Sequence, residues 1–308
     1  MKQKILAILV VIFFLAIIFF SHLIKPAPKI QPFTLKNDNG RTNVLLLGTG
    51  GGQHEGPDLT DTLILVSATT SGQITMISVP RDIYMDSLDN KINSAYNTGG
   101  LPLAKSAVEQ IVGMPIHYVL RVDFSAFEKI IDILGGIDVN APAVLDDYEF
   151  PVVGKENDLC NGDPELKCRL EYLHFDAGLQ KMDGKTALRY VRSRHAIGDE
   201  GSDFARSRRQ QLVLKALKDK VFLLSNLINP IKIKSIYDEL KTNIDTDFDI
   251  TQPNQLITLG LNYRNSQIKN VYLDLTLLDN PPIDWRGWIL LPKGGNWDEV
   301  QKYIKSQF

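Results

Sequence analysis

Apolar residues are spaced along the chain in three ways, and each spacing predicts a different element. The first is an unbroken run. Ile5 to Phe20 contains no polar residue, and Ser21 to Ile24 adds little polarity before Lys25. About 20 residues at roughly 1.5 Å each match a bilayer core of roughly 30 Å. Lys2 and Lys4 precede the run, which favours a cytoplasmic N-terminus, and no A-x-A-like cleavage site follows it. The reading is a cytoplasmic tip over residues 1–4 and a transmembrane signal anchor over 5–24, with a cleaved secretory signal as the alternative. Residues 25–41, rich in Pro, Lys and Asn, read as a linker, and residues 42–308 as an extracytoplasmic domain.

The second spacing is the short apolar run of a strand: Val44–Leu47, Leu63–Ser67, Ile74–Val79, His117–Val122, Ile137–Asn140 and Val271–Leu277. The turn Ala68–Gly72 predicts a hairpin between the second and third. The third spacing is helical, over Leu101–Ile111, Ser125–Leu134, Asp203–Leu224 and Asn296–Ile304. In Ser125–Leu134 the residues Phe127, Ile130, Ile131 and Leu134 share a face, and Gly135-Gly136 ends the helix. Strands alternating with helices predict one α/β domain around a central sheet. Between them, residues 146–176 form a long polar stretch, read as a surface insertion.

Composition changes this picture little. A formal net charge of -2 excludes a uniformly cationic nucleic-acid binder. The two cysteines, Cys160 and Cys168, fall inside the polar stretch. Outside the cytoplasm a pair this close reads as a disulfide closing a short loop. Half a zinc set and two free thiols are the alternatives.

Three stretches carry candidate chemistry. "LLLGTGGGQHEGPDLTDT" follows the first strand like a nucleotide loop but fails both phosphate-cradling patterns. G-x-G-x-x-G breaks at Gln53 or Glu55, and G-x-x-x-x-G-K-[ST] has Pro57 in place of its lysine. Its glycines then serve a tight turn, and Asp61 of "LTDT" is a candidate magnesium ligand. "SVPRDIY" puts Arg81 and Asp82 just past a strand, where open sheets place ligands. "RYVRSRHAIGDEGSDFARSRRQQLVLKAL" holds Arg192 and Arg194 two apart, on one face if extended. Phasing the following helix on Val213, Leu217, Val221 and Leu224 turns Arg206, Arg209 and Gln210 inward and Arg208 outward. Inward arginines need an anion, and the guanidinium fork suits phosphate.

These pieces, with "KINSAYNTGG", "HYVLRVDFSAFEKIIDILGGIDV" and "MDGKTALRYVRSRH", resemble the LytR-CpsA-Psr family of anchored cell-envelope phosphotransferases, in the family's order from Asn43 to Lys220. The resemblance implies a three-layer α/β/α sandwich with a central mixed sheet and an apolar tunnel for a lipid tail. It implies transfer of a glycopolymer phosphate from a polyprenyl-pyrophosphate carrier to a wall acceptor such as peptidoglycan, releasing polyprenyl phosphate. A polyprenyl-pyrophosphate phosphatase and a non-catalytic lipid-glycan scaffold are the alternatives. Arg81, Arg192 and Arg194 match pyrophosphate contacts, and Arg206 and Arg209 match the R-x-x-R-Q helix. Asp82 and Gln210 orient arginines or touch ligand, and Asp61 stands near Mg²⁺ or Mn²⁺. Gly50 stands where the family has a second acid, Gly52 where it has an arginine, and Leu59 replaces another. His54, Glu55 and Asp58 are the residues that would rebuild the metal site.

Overall fold

The computed structural model describes residues 35–52, 56–152, 154–155, 157–248, 261–263 and 265–308. The expected cytoplasmic tip, membrane anchor and first part of the linker, with His54 and Glu55, lie outside the described residues. Among the described residues no helix is long and apolar enough to cross a membrane.

The predicted strands appear as β1 (Arg41–Thr49), β2 (Thr60–Thr69), β3 (Ile74–Ser78), β4 (Tyr118–Asp123), β5 (Ile137–Ala141) and β10 (Ile268–Tyr272), and four strands that were not predicted come between the last two: β6 (Leu145–Pro151), β7 (Leu170–Phe175), β8 (Gly178–Met182) and β9 (Asp245–Thr246). Six of them form one mixed sheet in the order β9-β4-β1-β2-β3-β10. β1 is antiparallel to β2 and parallel to β4, and β3 is antiparallel to β2 and parallel to β10. The carboxyl ends of β1, β3, β4 and β10 therefore point to one edge, together with the amino end of β2.

The main helices are α1 (Ala95–Val112), α2 (Phe124–Ile133), α3 (Gly184–Arg192), α4 (Asp203–Val221), α5 (Pro230–Asn243) and α6 (Asp298–Lys305). Alternation along the strands explains why both faces of the sheet are covered. Leu45, Leu47, Leu63, Leu65 and Ile77 pack with Ala104, Val108 and Ile111 of α1 and with Val300 and Ile304 of α6. Ile64 and Met76, with Leu46 and Val66, face the other way, onto Leu214 of α4. Gln211 of α4, which sequence phasing passed over, is fully buried there. Its Nε2 donates to Ser78 Oγ (2.8 Å), Val271 O (3.2 Å) and Met76 O (3.4 Å), fixing the helix over β3 and β10.

Residues 146–176 differ from a surface insertion. β6 and β7 pair as an antiparallel hairpin whose inner residues Leu145, Phe150, Leu173 and Phe175 join Tyr190 of α3 and Val213 of α4 in a second core. The other face of the hairpin and the distal part of the stretch are exposed, and in the distal part Cys160 and Cys168 are joined by a disulfide. The apolar positions of "LDDYEFP" and "LEYLHF" are the signal that the polar residues between them obscured.

Helices α2 and α3 cross at Gly184, which has no side chain to keep them apart. A Cβ there would lie 2.2 Å from the Glu128 carbonyl oxygen and 2.6 Å from its Cα, both backbone atoms that cannot rotate away. Gly184→Ala is expected to destabilise the fold by about 1–3 kcal/mol through overpacking. Urea unfolding should give a lower midpoint at unchanged slope, and an unaltered midpoint would show that the crossing is looser than described.

Candidate functional site

The predicted residues converge on the common sheet edge, where open α/β sheets gather ligands. Asp61 and Thr62 lie at the start of β2, and Arg81 follows β3. Phe124 opens α2 after β4, Arg192 ends α3, and Arg206 and Gln210 sit in the first turns of α4. Together with Arg194, His195, Gly56, Leu59, Asn93, Pro151 and Val191 they line a pocket of about 340 Å³. It presents four arginines against one carboxylate, Asp61.

The arginines are held by different means. Arg81 donates through Nη1 to Asp61 Oδ1 and lies 3.4 Å from Asp82 Oδ2. Burial lowers its pKa, but Asp61, Asp82 and Asp203 together outweigh burial and the net shift is upward. Arg206 is buried with a single acidic partner, Asp203 Oδ1 at 3.0 Å, and its Nε has no hydrogen-bond partner among the described residues. Burial lowers its pKa to about 10, so it remains a cation at neutral pH. A buried guanidinium with an open donor favours an incoming anion. Arg194 lies 3.6 Å from the same Asp203 oxygen, and Arg192 rests over the ring of Phe124, 4.7 Å from its centroid.

Arg192 and Arg194 are not both on extended backbone, the condition under which their spacing would put them on one face. Arg192 is the last residue of α3, Ser193 caps the helix with extended backbone angles, and Arg194 lies beyond. Both still reach the pocket because Ser193 is gripped from two sides. The fully buried Asp147 of β6 accepts from Ser193 Oγ (2.6 Å) and from the backbone N–H groups of Arg194 and His195 (3.3 Å each) through Oδ2, and from Glu149 N (3.0 Å) through Oδ1. Arg209, only 1% exposed, donates through Nη2 to the Ser193 carbonyl (2.6 Å), through Nε to Tyr190 O (3.1 Å) and through Nη1 to Glu200 Oε2 (2.7 Å) and O (2.8 Å).

Arg209 thus points inward as predicted but is not in the pocket lining. With every nitrogen engaged, it positions the Arg192–Arg194 turn rather than offering a phosphate contact. Asp82 is also outside this lining, held by Arg81 and by Lys91 Nζ at 2.9 Å. Asp147 escaped sequence reasoning because it sits in the stretch read as a surface insertion.

The glycine loop does what its failed motifs left to it. Gly51, Gly52 and Gly56 have φ of +64, +57 and +62°, and Gly51 N closes the turn on Pro57 O at 2.9 Å. Asp58 is paired with Arg121 (3.3 Å) and is not in the pocket lining. Asp61 engages Arg81 through Oδ1 yet stays 42% exposed, which leaves one carboxylate oxygen for a cation. Among the described residues no three His, Cys, Asp or Glu side chains converge at this pocket; the one such group is Asp158 with Cys160 and Cys168, whose sulfurs are already bonded to each other. A sparse donor set of this kind fits Mg²⁺, which keeps several waters and combines one or two carboxylates with substrate phosphates.

A second, apolar cavity of about 240 Å³ adjoins the first. Phe127 and Ile130 of α2, Leu188 of α3, Val213 and Leu217 of α4 and Leu240 of α5 are among its walls. Ile131 and Leu134, from the same predicted face of α2, are instead packed in the core. Thr62, Phe124, Val191 and Gln210 line both cavities, so the two share a wall. Gly48 of β1 lines the apolar one, and a Cβ there would come within 2.9 Å of Thr62 Cβ.

A model of the LytR_cpsA_psr family matches residues 21–282. The chain belongs to this family. Among curated relatives, the polyisoprenyl-teichoic acid--peptidoglycan teichoic acid transferase TagV of Bacillus subtilis is 30% identical over 256 residues, 80% of this chain and 59% of that protein. The similarly named TagU of Bacillus cereus is 29% identical over 229 residues, 72% of this chain and 64% of that protein. The chain thus spans about six tenths of the length of the curated relatives it matches. The crystal structure of B. subtilis TagV has the same fold, with a TM-score of 0.64 at 24% identity, covering 88% of this chain and 98% of that one.

Asp147→Ala is expected to leave the buried Ser193 hydroxyl and the backbone N–H groups of Glu149, Arg194 and His195 without their acceptor. At roughly 1–3 kcal/mol per orphaned group, less relaxation, the loss should be about 2–5 kcal/mol. Thermal and urea unfolding measure it, and a variant as stable as the parent would remove Asp147 from the account.

Proposed function

We propose that this LytR_cpsA_psr family member transfers a glycopolymer, with one phosphate, from a polyprenyl-pyrophosphate carrier to a cell-wall acceptor such as peptidoglycan, releasing polyprenyl phosphate. The observation that carries this reading is the shared wall between the two cavities. A pocket with four arginines opening beside an apolar cavity suits one amphiphile, with a pyrophosphate head and a hydrocarbon tail. The relatives named as teichoic acid transferases support the same chemistry. The apolar segment 5–24 supports a single-pass anchor, with the N-terminus in the cytoplasm and the domain on the outer side of the membrane.

In this reading Arg81, Arg192, Arg194 and Arg206 bind the pyrophosphate and Gln210 lies between head and tail. An acceptor hydroxyl attacks the sugar-side phosphorus, a new P–O bond forms, the bond to the polyprenyl phosphate oxygen breaks, and the hydroxyl proton passes to the departing phosphate or to solvent. Charge on the leaving phosphate is offset by guanidinium groups fixed beforehand, so catalysis is mainly positioning and electrostatics. Asp61 holds Arg81 in place and would hold Mg²⁺ or Mn²⁺. Such an ion, when bound, would neutralise pyrophosphate charge.

The deciding experiment incubates the full chain in detergent with a polyprenyl-pyrophosphate saccharide, a glycan acceptor and Mg²⁺, and reads products by mass. An acceptor adduct with released polyprenyl phosphate is expected. Saccharide phosphate formed on water alone would make the protein a phosphatase, and retained lipid without turnover would make it a scaffold. Arg192→Ala or Arg194→Ala should lower turnover by on the order of 10² to 10³. Val213→Trp, which fills the apolar cavity, should impair long-chain carriers and spare those with a short prenyl chain. Equal loss on both would argue that the tail binds elsewhere.

A further inference from the structure

The β6–β7 hairpin has an outer face that the transfer reaction as described leaves unused. Tyr148 and Tyr172 stack across the hairpin with ring centroids 4.6 Å apart and planes 26° apart. They are 58% and 52% exposed, whereas Phe150, Leu173 and Phe175 of the same two strands are buried on the other face. The pair is held in place by its neighbours. Tyr172 Oη donates to Asp146 Oδ1 at 2.5 Å, His174 Nδ1 meets the same oxygen at 2.7 Å, and His174 Nε2 lies 3.3 Å from Asp176 Oδ1. A cross-strand tyrosine pair alone would account only for hairpin stability. Its position gives it more to do.

The segment after Arg194 runs alongside this small sheet. Ala196 forms an antiparallel bridge with Asp147, and Ile197 N donates to Asp146 O at 2.8 Å. Ala196 and Asp147 both turn inward, so in this register His195 and Tyr148 are opposite each other on the outer face. His195 lines the arginine pocket. The tyrosine pair therefore lies beside His195 of the pocket rim, which is on the turn that carries Arg192 and Arg194.

We infer that this face, Tyr172 and Tyr148 running to His195 at the pocket rim, is a saccharide subsite that seats the neutral pyranose chain of the acceptor glycan. Half-exposed, rigidly held aromatic rings suit the apolar C–H faces of sugar rings. Carboxylates beside them suit sugar hydroxyl donors. Charge selects acceptor over donor: Asp146, Glu149 and Asp176 lie beside the rings, with His174 and His195 among them, and a face this rich in carboxylates favours a neutral glycan over a polymer of phosphodiesters. The inference rests on the transferase reading for the word acceptor.

The test uses the full chain in detergent and two probes, the neutral hexamer of β-1,4-linked N-acetylglucosamine and an oligomer of glycerol phosphate, with binding measured by calorimetry. The hexamer should bind, and Tyr148→Ala and Tyr172→Ala should each weaken it about 3- to 10-fold, as lost ring contacts imply. Tyr148→Phe should retain binding, and thermal melting should show all three variants folded. In the transfer assay Tyr148→Ala should raise KM for the acceptor and leave kcat unchanged. Wild-type protein that ignores the hexamer, or alanine variants that bind it undiminished, would overturn the subsite. So would loss of glycerol phosphate binding instead of hexamer binding, which would assign the face to the donor. Hexamer binding that depends on the tyrosines in a protein without transfer would uphold the subsite and reject the proposed function.

Discussion

The site depends on how one small residue is held. Ser193 lies between two pocket arginines, and two buried charges from different parts of the chain grip it. Asp147 takes its hydroxyl and the next two amides, and Arg209 takes its carbonyl. Neither charge is matched by a simple ion pair alone; both are satisfied by several hydrogen bonds, which is how a protein interior tolerates such groups. The backbone of the turn is thereby fixed. The guanidinium groups on either side begin from a rigid base, which supports electrostatic preorganisation before any substrate arrives.

That arrangement explains why the core is divided. One face of the sheet is a conventional apolar layer against α1 and α6. The other carries α4, which turns arginines inward in its first turns and apolar side chains inward in its later ones. A single helix thus serves the arginine pocket with Arg206 and Gln210 and the apolar cavity with Val213 and Leu217. Gln211 anchors it to the sheet between the two.

Much of this was legible in the sequence. Short apolar runs marked every strand of the sheet except β9, and helical spacing turned Arg206 and Arg209 inward and Arg208 outward. Failed glycine motifs correctly left a turn. Three things were not legible. Whether an inward arginine faces a cavity or is consumed by protein groups depends on Glu200 and Tyr190, whose contacts no spacing reveals. The helix ending at Arg192 is short, and its arginines masked its periodicity. The hairpin around Asp147 carries its apolar residues among so many charges that it read as surface. In each case a tertiary partner decided what local pattern left open.

Gly48 carries a longer consequence. It faces Thr62, which lines both cavities, at a distance that leaves no room for a methyl group. A side chain at Gly48 would have to displace Thr62 and so disturb both cavities at once, whereas a change outside the shared wall acts on one cavity alone.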